Sequence, residues 1–311
     1  MEYLLVRSAV ALLLSSVISA GAFRRKSLDL SGALSGFLVM AIHITCSYRF
    51  GALLLVFFFT SSKLTRLGEK KKRSVDEEFK EGGQRNWLQV LANSALATIL
   101  VMLVAMITGG KDRCLDTKDS TLLTGLIGGV IGHYACCNGD TWSSEIGMLS
   151  NAQPRLITTF KKVRKGTNGA VSVEGLLAAA AAGLLIGLTF VMVGWLSVSC
   201  GTDVARRELL VVPIATIAGL CGSLIDSILG ATLQFSGFCT LRKKVVGKKT
   251  PTVIRISGMD VLDNNAVNAV SVLITTLLTG KETSQSKRIQ NALVNNERDS
   301  KETKFKMHVR Q

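Results

Sequence analysis

Within HYACCNGDTWSSE, His133 to Glu145, stand two carboxylates, two adjacent cysteines and a histidine. Asp140, Ser143 and Ser144 lie three and four residues apart and share one face of a helix, with Glu145 beside that face. Such oxygen ligands suit a hard cation such as Mg2+. Asp140 and Glu145 are therefore candidate catalytic and metal-binding residues, and Ser144 a candidate for lining a substrate site. The competing reading is that Asn138 to Ser144 form the polar end of a helix near the headgroups. His133 and Cys137 also face alike, but a single histidine among cysteines more often packs than ligates. The vicinal Cys136 and Cys137 read as small apolar fillers.

Three further stretches carry polar groups where a membrane would make them costly. In PRLITTFKKVRKGTNGAVSVEG, Pro154 to Gly175, five basic residues precede GTNG and a new apolar helix. Lys165, Gly166, Thr167, Asn168 and Gly169 can receive a phosphate: the lysine brings charge, the glycines let backbone N–H groups approach, and the helix start adds donors. The loop is no Walker A motif, since GxxxxGK[ST] does not occur in the chain. In GLCGSLIDSILGATLQFSG, Gly219 to Gly237, Asp226 sits inside an apolar helix near Gly230 and needs a partner, a cation or a wet cavity. In MDVLDNNAVNAVS, Met259 to Ser271, Asp260, Asn264, Asn268 and Ser271 recur at helical spacing, so Asn264 and Asn268 make one polar stripe on the final helix. Such a stripe either binds neighbouring helices or lines a substrate site.

The elements that must carry these residues are membrane helices. Of 311 residues, 48% are hydrophobic and only 3 are proline. Apolar stretches near the roughly 20 residues a bilayer needs fall close to 3–23, 28–47, 50–62, 87–109, 121–138, 173–198, 208–234 and 264–279. The expected fold is all-α, a polytopic integral membrane bundle of about 7–8 transmembrane helices. Residues 1–279 would form the membrane domain and 280–311 a flexible polar tail. The first stretch has Glu2, lacks a basic n-region and is followed almost at once by a second, so it reads as a retained helix. Overlapping GxxxG spacings at Gly125, Gly128, Gly129 and Gly132 predict close helix packing.

The net charge of +15 lies in loops rather than on one nucleic-acid-binding face. The loop 148–172 has five basic residues and no acid, and 235–259 has six and none. With the N-terminus outside, these loops, together with 24–26 and 63–86, share the cytosolic side. No nucleic-acid partner is expected; the lipid bilayer is. Cys114 and Cys200 fall in predicted outer loops, where they can pair. The absence of an Arg- and Ser-rich, acid-poor leader argues against a plastid or mitochondrial destination, leaving the plasma membrane or an endomembrane.

Three of the four polar groupings border the basic loops on one side, which argues for a single site. Acidic centres for magnesium, a basic glycine-rich loop and a membrane setting point to phosphoryl chemistry on an amphiphile. Nothing resembles a Ser-His-Asp triad, and the inverted repeat expected of a small-anion transporter is not evident.

At HYACCNGDTWSSE, PRLITTFKKVRKGTNGAVS, GSLIDSILGATLQFSG and LDNNAVN the chain resembles the transmembrane protein 19 family, also catalogued as domain of unknown function 92. The resemblance runs to about residue 279 and is closest to a plant branch of plasma-membrane glucose-responsive regulators. Another branch is the phytyl phosphate kinase of tocopherol synthesis, and a more distant similarity, at Gly139 to Gly147, is to dolichol kinases. The resemblance implies Asp140 and Glu145 as polar site residues, Lys165 to Gly169 as a phosphate loop, and Asp226 and Asn264 as opposite walls. It further implies Mg2+, CTP or ATP as phosphoryl donor, and an isoprenoid (phytyl or polyprenyl) monophosphate as acceptor. Asp140, Glu145 and Asp226 would then hold the metal. The alternative is a non-catalytic regulator of sugar response and growth. The chain departs from the family pattern at Ala170, where GTNGG is common, and in a last span that ends at GKETS.

Overall fold

Short polar residues set between the apolar runs start most of the helices. Asp29, Ser47, Ser120 and Ser172 each accept a hydrogen bond from a backbone N–H in the first turn they cap, and Asn86 forms a reciprocal capping box with Gln89. The computed structural model describes residues 2–75, 81–115, 120–198 and 200–285. Among these, eight helices run fourteen residues or longer: α1 (Glu2–Arg24), α2 (Leu30–Cys46), α3 (Tyr48–Arg66), α6 (Ala95–Thr108), α7 (Thr121–Leu149), α8 (Val173–Ser197), α10 (Val211–Leu233) and α11 (264–285). Shorter helices α4 (Glu69–Val75), α5 (Trp87–Ala92) and α9 (Thr202–Glu208) join them.

Three spans are long and apolar enough by length and composition to cross a membrane: Leu4–Arg24, Val173–Ser197 and Val204–Leu233. Leu30–Cys46 and Ala95–Thr108 are shorter apolar helices. Large apolar side chains point outward along the bundle, among them Leu13, Leu38, Met106, Leu177, Leu196 and Ile217. A soluble protein does not display so much contiguous apolar surface.

Helix α7 is the central post. Every residue from Ile127 to Gly139 is buried, so it is enclosed by protein and can carry Gly, Cys, Asn and His where a lipid-facing helix carries leucine. Small residues set how closely its neighbours approach. A Cβ at Gly139 would stand 2.5 Å from the Gly219 carbonyl oxygen of α10, and one at Gly132 would meet Thr279 of α11 at 2.4 Å. The glycines thus serve the close packing that their spacing predicts. Asn138 is consumed in the same core: its Oδ1 accepts from Thr60 and Ser61, and its Nδ2 donates to Ala182 O at 3.2 Å. Buried His133 faces Asn93 O at 2.9 Å, and the Cys137 thiol donates to the same carbonyl.

The structure departs from the expected spans in three places. The stretch 87–109 is broken into α5 and α6 at Asn93–Ser94 rather than continuous. The last helix continues through GKETS to residue 285, with Thr283 buried against Gly128. Asp260 lies before α11 and faces Lys249 across 3.9 Å, while Asp263 caps that helix by accepting from Ala266 N; Asp260 therefore does not belong to the helical stripe. The end of the expected polar tail, 286–311, lies outside the described residues.

Among the described residues, the strands lie in the basic loops. β1 (Arg155–Leu156) pairs antiparallel with β2 (Ala170–Val171), and β3 (Ser236–Cys239) lies between β4 (Lys244–Val246) and β5 (Val253–Ser257), antiparallel to both. These loops meet at one end of the bundle: Lys71 Nζ donates to Leu149 O, Lys244 Nζ to Arg73 O, and Arg66 to Arg25 O and Ser27 Oγ. The opposite end holds the disulfide Cys114–Cys200 and the buried pair Arg49 Nη1–Glu208 Oε1, 3.0 Å apart. Glu208 Oε1 also accepts from Leu115 N at 2.8 Å.

Candidate functional site

A cavity of about 380 Å³ opens at the basic end between α1, α2, α3, α5, α7, α8, α10 and α11. Of the candidates named from sequence, it is lined by Asp140, Ser144, Lys165, Gly166, Thr167, Asn168, Gly169, Asp226, Gly230, Asn264 and Asn268. Glu145 is the exception. It lines an adjoining vestibule of about 1170 Å³ that shares Arg85, Thr141, Gly166, Asn168 and Asn264 with the first.

The carboxyl groups of Asp140 and Asp226 come from adjacent helices and lie within hydrogen-bonding reach of each other. Their approach depends on the close α7–α10 crossing one residue before Asp140, at Gly139. Asp226 Oδ2 accepts from Ser271 Oγ of α11 at 3.1 Å, and Ser143 Oγ meets Ser223 Oγ at 2.7 Å across the same crossing. Two carboxyl groups so placed share either a proton or a cation.

The three-carboxylate metal set expected from sequence is not assembled. Glu145 Oε2 lies 2.6 Å from Lys72 Nζ, whose side chain is almost fully buried and also donates to Leu64 O and Thr65 O. No group of three or more His, Cys, Asp or Glu capable of holding a metal exists among the described residues. The Asp140–Asp226 pair alone still fits magnesium. That ion keeps several waters, binds through one or two carboxylates and takes its remaining ligands from substrate phosphates.

The loop 150–172 is fixed over the carboxyl pair by backbone and small residues. Ile157 N donates to Gly169 O, Asn168 N to Ser236 Oγ at 2.9 Å, and Asn168 Nδ2 to Phe235 O at 3.1 Å. Gly169 has φ 75° and packs so tightly on α10 that a Cβ would stand 2.4 Å from Ser227 O. No other residue satisfies both demands. Thr167 N–H is engaged by Arg164 O and Asn168 N–H by Ser236 Oγ. These two amides, offered by the sequence as phosphate donors, thus bond within the protein. Lys165 donates to Ser150 O from the cavity wall. Its pKa is lowered from the ordinary lysine value, by desolvation first and by Lys71 second, with Glu174 opposing. Arg164 turns away and stacks over Phe238, 3.9 Å from the ring centroid.

The other half of the cavity is apolar. Ile18 and Ala22 of α1, Val39 and Met40 of α2, and Leu54 and Phe57 of α3 line it. Sequence reasoning did not connect these helices with the site, nor did it single out Arg85, Gln89 and Asn93, which line the cavity from the broken α5 segment. The available signal was the pair of amides and the arginine at the head of an apolar run, in GGQRNWLQVLANS.

The chain is 65% identical over 273 residues to Protein PGR of Arabidopsis thaliana, covering 88% of this chain and 95% of that one. An uncharacterized membrane protein of Methanocaldococcus jannaschii is 31% identical over 239 residues, covering 75% of this chain and 86% of its own length. Protein VTE6, chloroplastic, also from Arabidopsis thaliana, is 29% identical over 244 residues, covering 77% of this chain and 67% of the relative. No solved structure matches the chain significantly. A helical bundle with an outward apolar belt and a family profile that matches residues 13–276 agree, and the chain belongs to the integral membrane protein family DUF92.

Proposed function

We propose that the protein transfers a phosphoryl group from CTP or ATP to an isoprenoid monophosphate at the cytosolic membrane face. The observation that carries this reading is the two-sided cavity, in which a carboxyl pair and a basic loop open directly onto an apolar groove between α1, α2 and α3. A polar head and a hydrocarbon tail are accommodated side by side. The resemblance of the motifs to the phytyl phosphate kinase branch supports the same substrate class, and the plasma membrane is the proposed location.

The acceptor phosphate is already anionic at neutral pH, so the reaction asks for positioning and charge neutralisation rather than a strong base. An oxygen of the monophosphate attacks the terminal phosphorus of the nucleotide. The bond from that phosphorus to the bridging oxygen breaks, the nucleoside diphosphate leaves, and an isoprenyl diphosphate forms. Magnesium, held by Asp140 and Asp226, would neutralise charge on the phosphate oxygens. Lys165 contributes a cation from the loop, Ser271 orients Asp226, and Asn264 and Asn268 present amides along the opposite wall. The apolar helices keep water away from the tail.

The test uses purified protein with phytyl or polyprenyl monophosphate, magnesium and CTP or ATP. Diphosphate should form with wild-type protein and fall at least about 100-fold in Asp140→Asn and Asp226→Asn. Folded wild-type protein that yields no diphosphate with any of several isoprenoids sinks the reading. The plant branch implies a regulator that needs the helices without the carboxylates. Full rescue of a loss-of-function line by both Asn variants would favour that role.

A further inference from the structure

We infer that Arg85 is the receptor for the phosphate of the lipid acceptor, a binding residue that lines the same cavity as the basic loop. This rests on the reading of the cavity as a site for a phosphorylated single-chain lipid, and extends it to the group that holds the headgroup.

Arg85 is held in place through its backbone. Its N–H donates to Ser27 O and its carbonyl accepts from Asp29 N, both at 3.0 Å, so the α1–α2 turn grips it on both sides. Helix α2 crosses directly over that carbonyl: a Cβ at Gly32 would stand 2.2 Å from Arg85 O. The next residue, Asn86, is locked by the capping box with Gln89. With its main chain fixed in this way, Arg85 lines both the inner cavity and the vestibule.

The guanidinium is under-engaged for such a setting. It has five N–H donors, and among the described residues its hydrogen bond is from Nη1 to the neutral Ser62 Oγ at 3.0 Å. Glu145 favours its charge and Arg66 opposes it. Glu145 is already claimed by Lys72 at 2.6 Å, and Arg66 adds a second positive charge. A partly buried cation so placed calls for an anion, and a planar fork of donors matches two oxygens of a phosphate.

Its position selects the kind of phosphate. Leu28, Phe58 and Val90 line the cavity beside Arg85 and continue into the apolar groove, while Asp140, Asp226 and Lys165 line the polar side. A headgroup bound at Arg85 therefore has its hydrocarbon chain in the groove and its remaining oxygen directed at the loop that would carry the donor. A phosphate monoester on a single chain satisfies both directions. Lys165 and Arg85 would then divide the two anions, donor at the lysine and acceptor at the arginine.

The experiment compares binding of phytyl monophosphate, phytol and inorganic phosphate to the purified full-length chain in nanodiscs, read by ligand-dependent thermal shift and by titration. Wild-type protein should bind the monophosphate at least about tenfold more tightly than phytol, and Arg85→Gln should remove most of that preference while leaving phytol binding unchanged. Arg85→Lys, which keeps the charge and loses the fork, should fall between. Unliganded melting temperatures show whether each variant is folded; if Arg85→Gln is not, the Arg85→Lys comparison decides. Wild-type-like monophosphate binding in the folded variant overturns the inference, as does a wild-type protein with no preference for the phosphate. Phosphate binding that depends on Arg85 without diphosphate formation from CTP or ATP would sink the phosphoryl-transfer reading and leave this assignment standing. Diphosphate formation whose KM for the monophosphate does not change in Arg85→Gln would do the reverse.

Discussion

Lys72 Nζ lies 2.6 Å from Glu145 Oε2, joining α4 to the C-terminal part of α7. This pair takes Glu145 out of the carboxylate set and gives it a mechanical role at the mouth of the site. Losing one partner leaves the other charge uncompensated, which costs about 3 kcal/mol for a well-buried pair; Glu145 keeps some solvent contact, so that figure is an upper expectation. Glu145→Gln should therefore lower the melting temperature while reducing diphosphate formation less than tenfold, against the 100-fold expected at Asp140 or Asp226. Melting curves and turnover on the same preparations check this. A loss of turnover in Glu145→Gln as deep as in Asp140→Asn would return Glu145 to the cation site.

The candidate site residues stood out in the sequence because polar groups at membrane depth are costly. Asp140, Asp226, Asn264 and Asn268 converge on one cavity although their helices are far apart in the chain. The helical membrane fold was readable from apolar length, and the placing of Cys114 and Cys200 in two outer loops allowed the disulfide that forms between them, but among the described residues only three of the expected spans are long and apolar enough to cross a membrane. Other features depend on tertiary contacts that no local pattern encodes. Whether Glu145 faces a cation or Lys72 is decided by how α4 docks on α7. Arg85 read as one more charge in a basic loop, since nothing in GGQRNW reveals that Ser27 and Asp29 grip its backbone. The break at Asn93–Ser94 hid inside an apolar run, and the buried carbonyl it exposes is satisfied by His133 from a distant helix. The small strands were missed because they run only two to five residues each, too short for an alternating pattern to show in the loops that carry them.

Lys165 supplies a test by pH. Its pKa sits below the ordinary lysine value near 10.4, because desolvation and the neighbouring Lys71 disfavour its charge more than Glu174 favours it. A lowered lysine pKa means that the cation is lost sooner as pH rises. Affinity for the nucleotide should then weaken on the alkaline side before an unperturbed lysine would deprotonate. Lys165→Arg, which stays charged throughout, should hold its KM for nucleotide over the same range. Parallel pH profiles of KM in the two proteins would remove Lys165 from the donor site.

The disulfide Cys114–Cys200 offers a direct test of how the bundle sits in its membrane. It joins the loop before α7 to the loop after α8, at the end of the bundle opposite the basic loops. Disulfides persist on the oxidising side of a membrane, and basic loops stay in the cytosol, so the two features assign the same orientation independently. In sealed cells, a membrane-impermeant thiol reagent should label Cys114 and Cys200 only after an impermeant reductant is added. A cysteine placed at Lys243, in the turn between β3 and β4, should become reactive to it only once the cells are permeabilised. Labelling of the Lys243→Cys variant in intact cells would invert the bundle, move Asp140 and Asp226 to the side without nucleotide, and end the phosphoryl-transfer proposal.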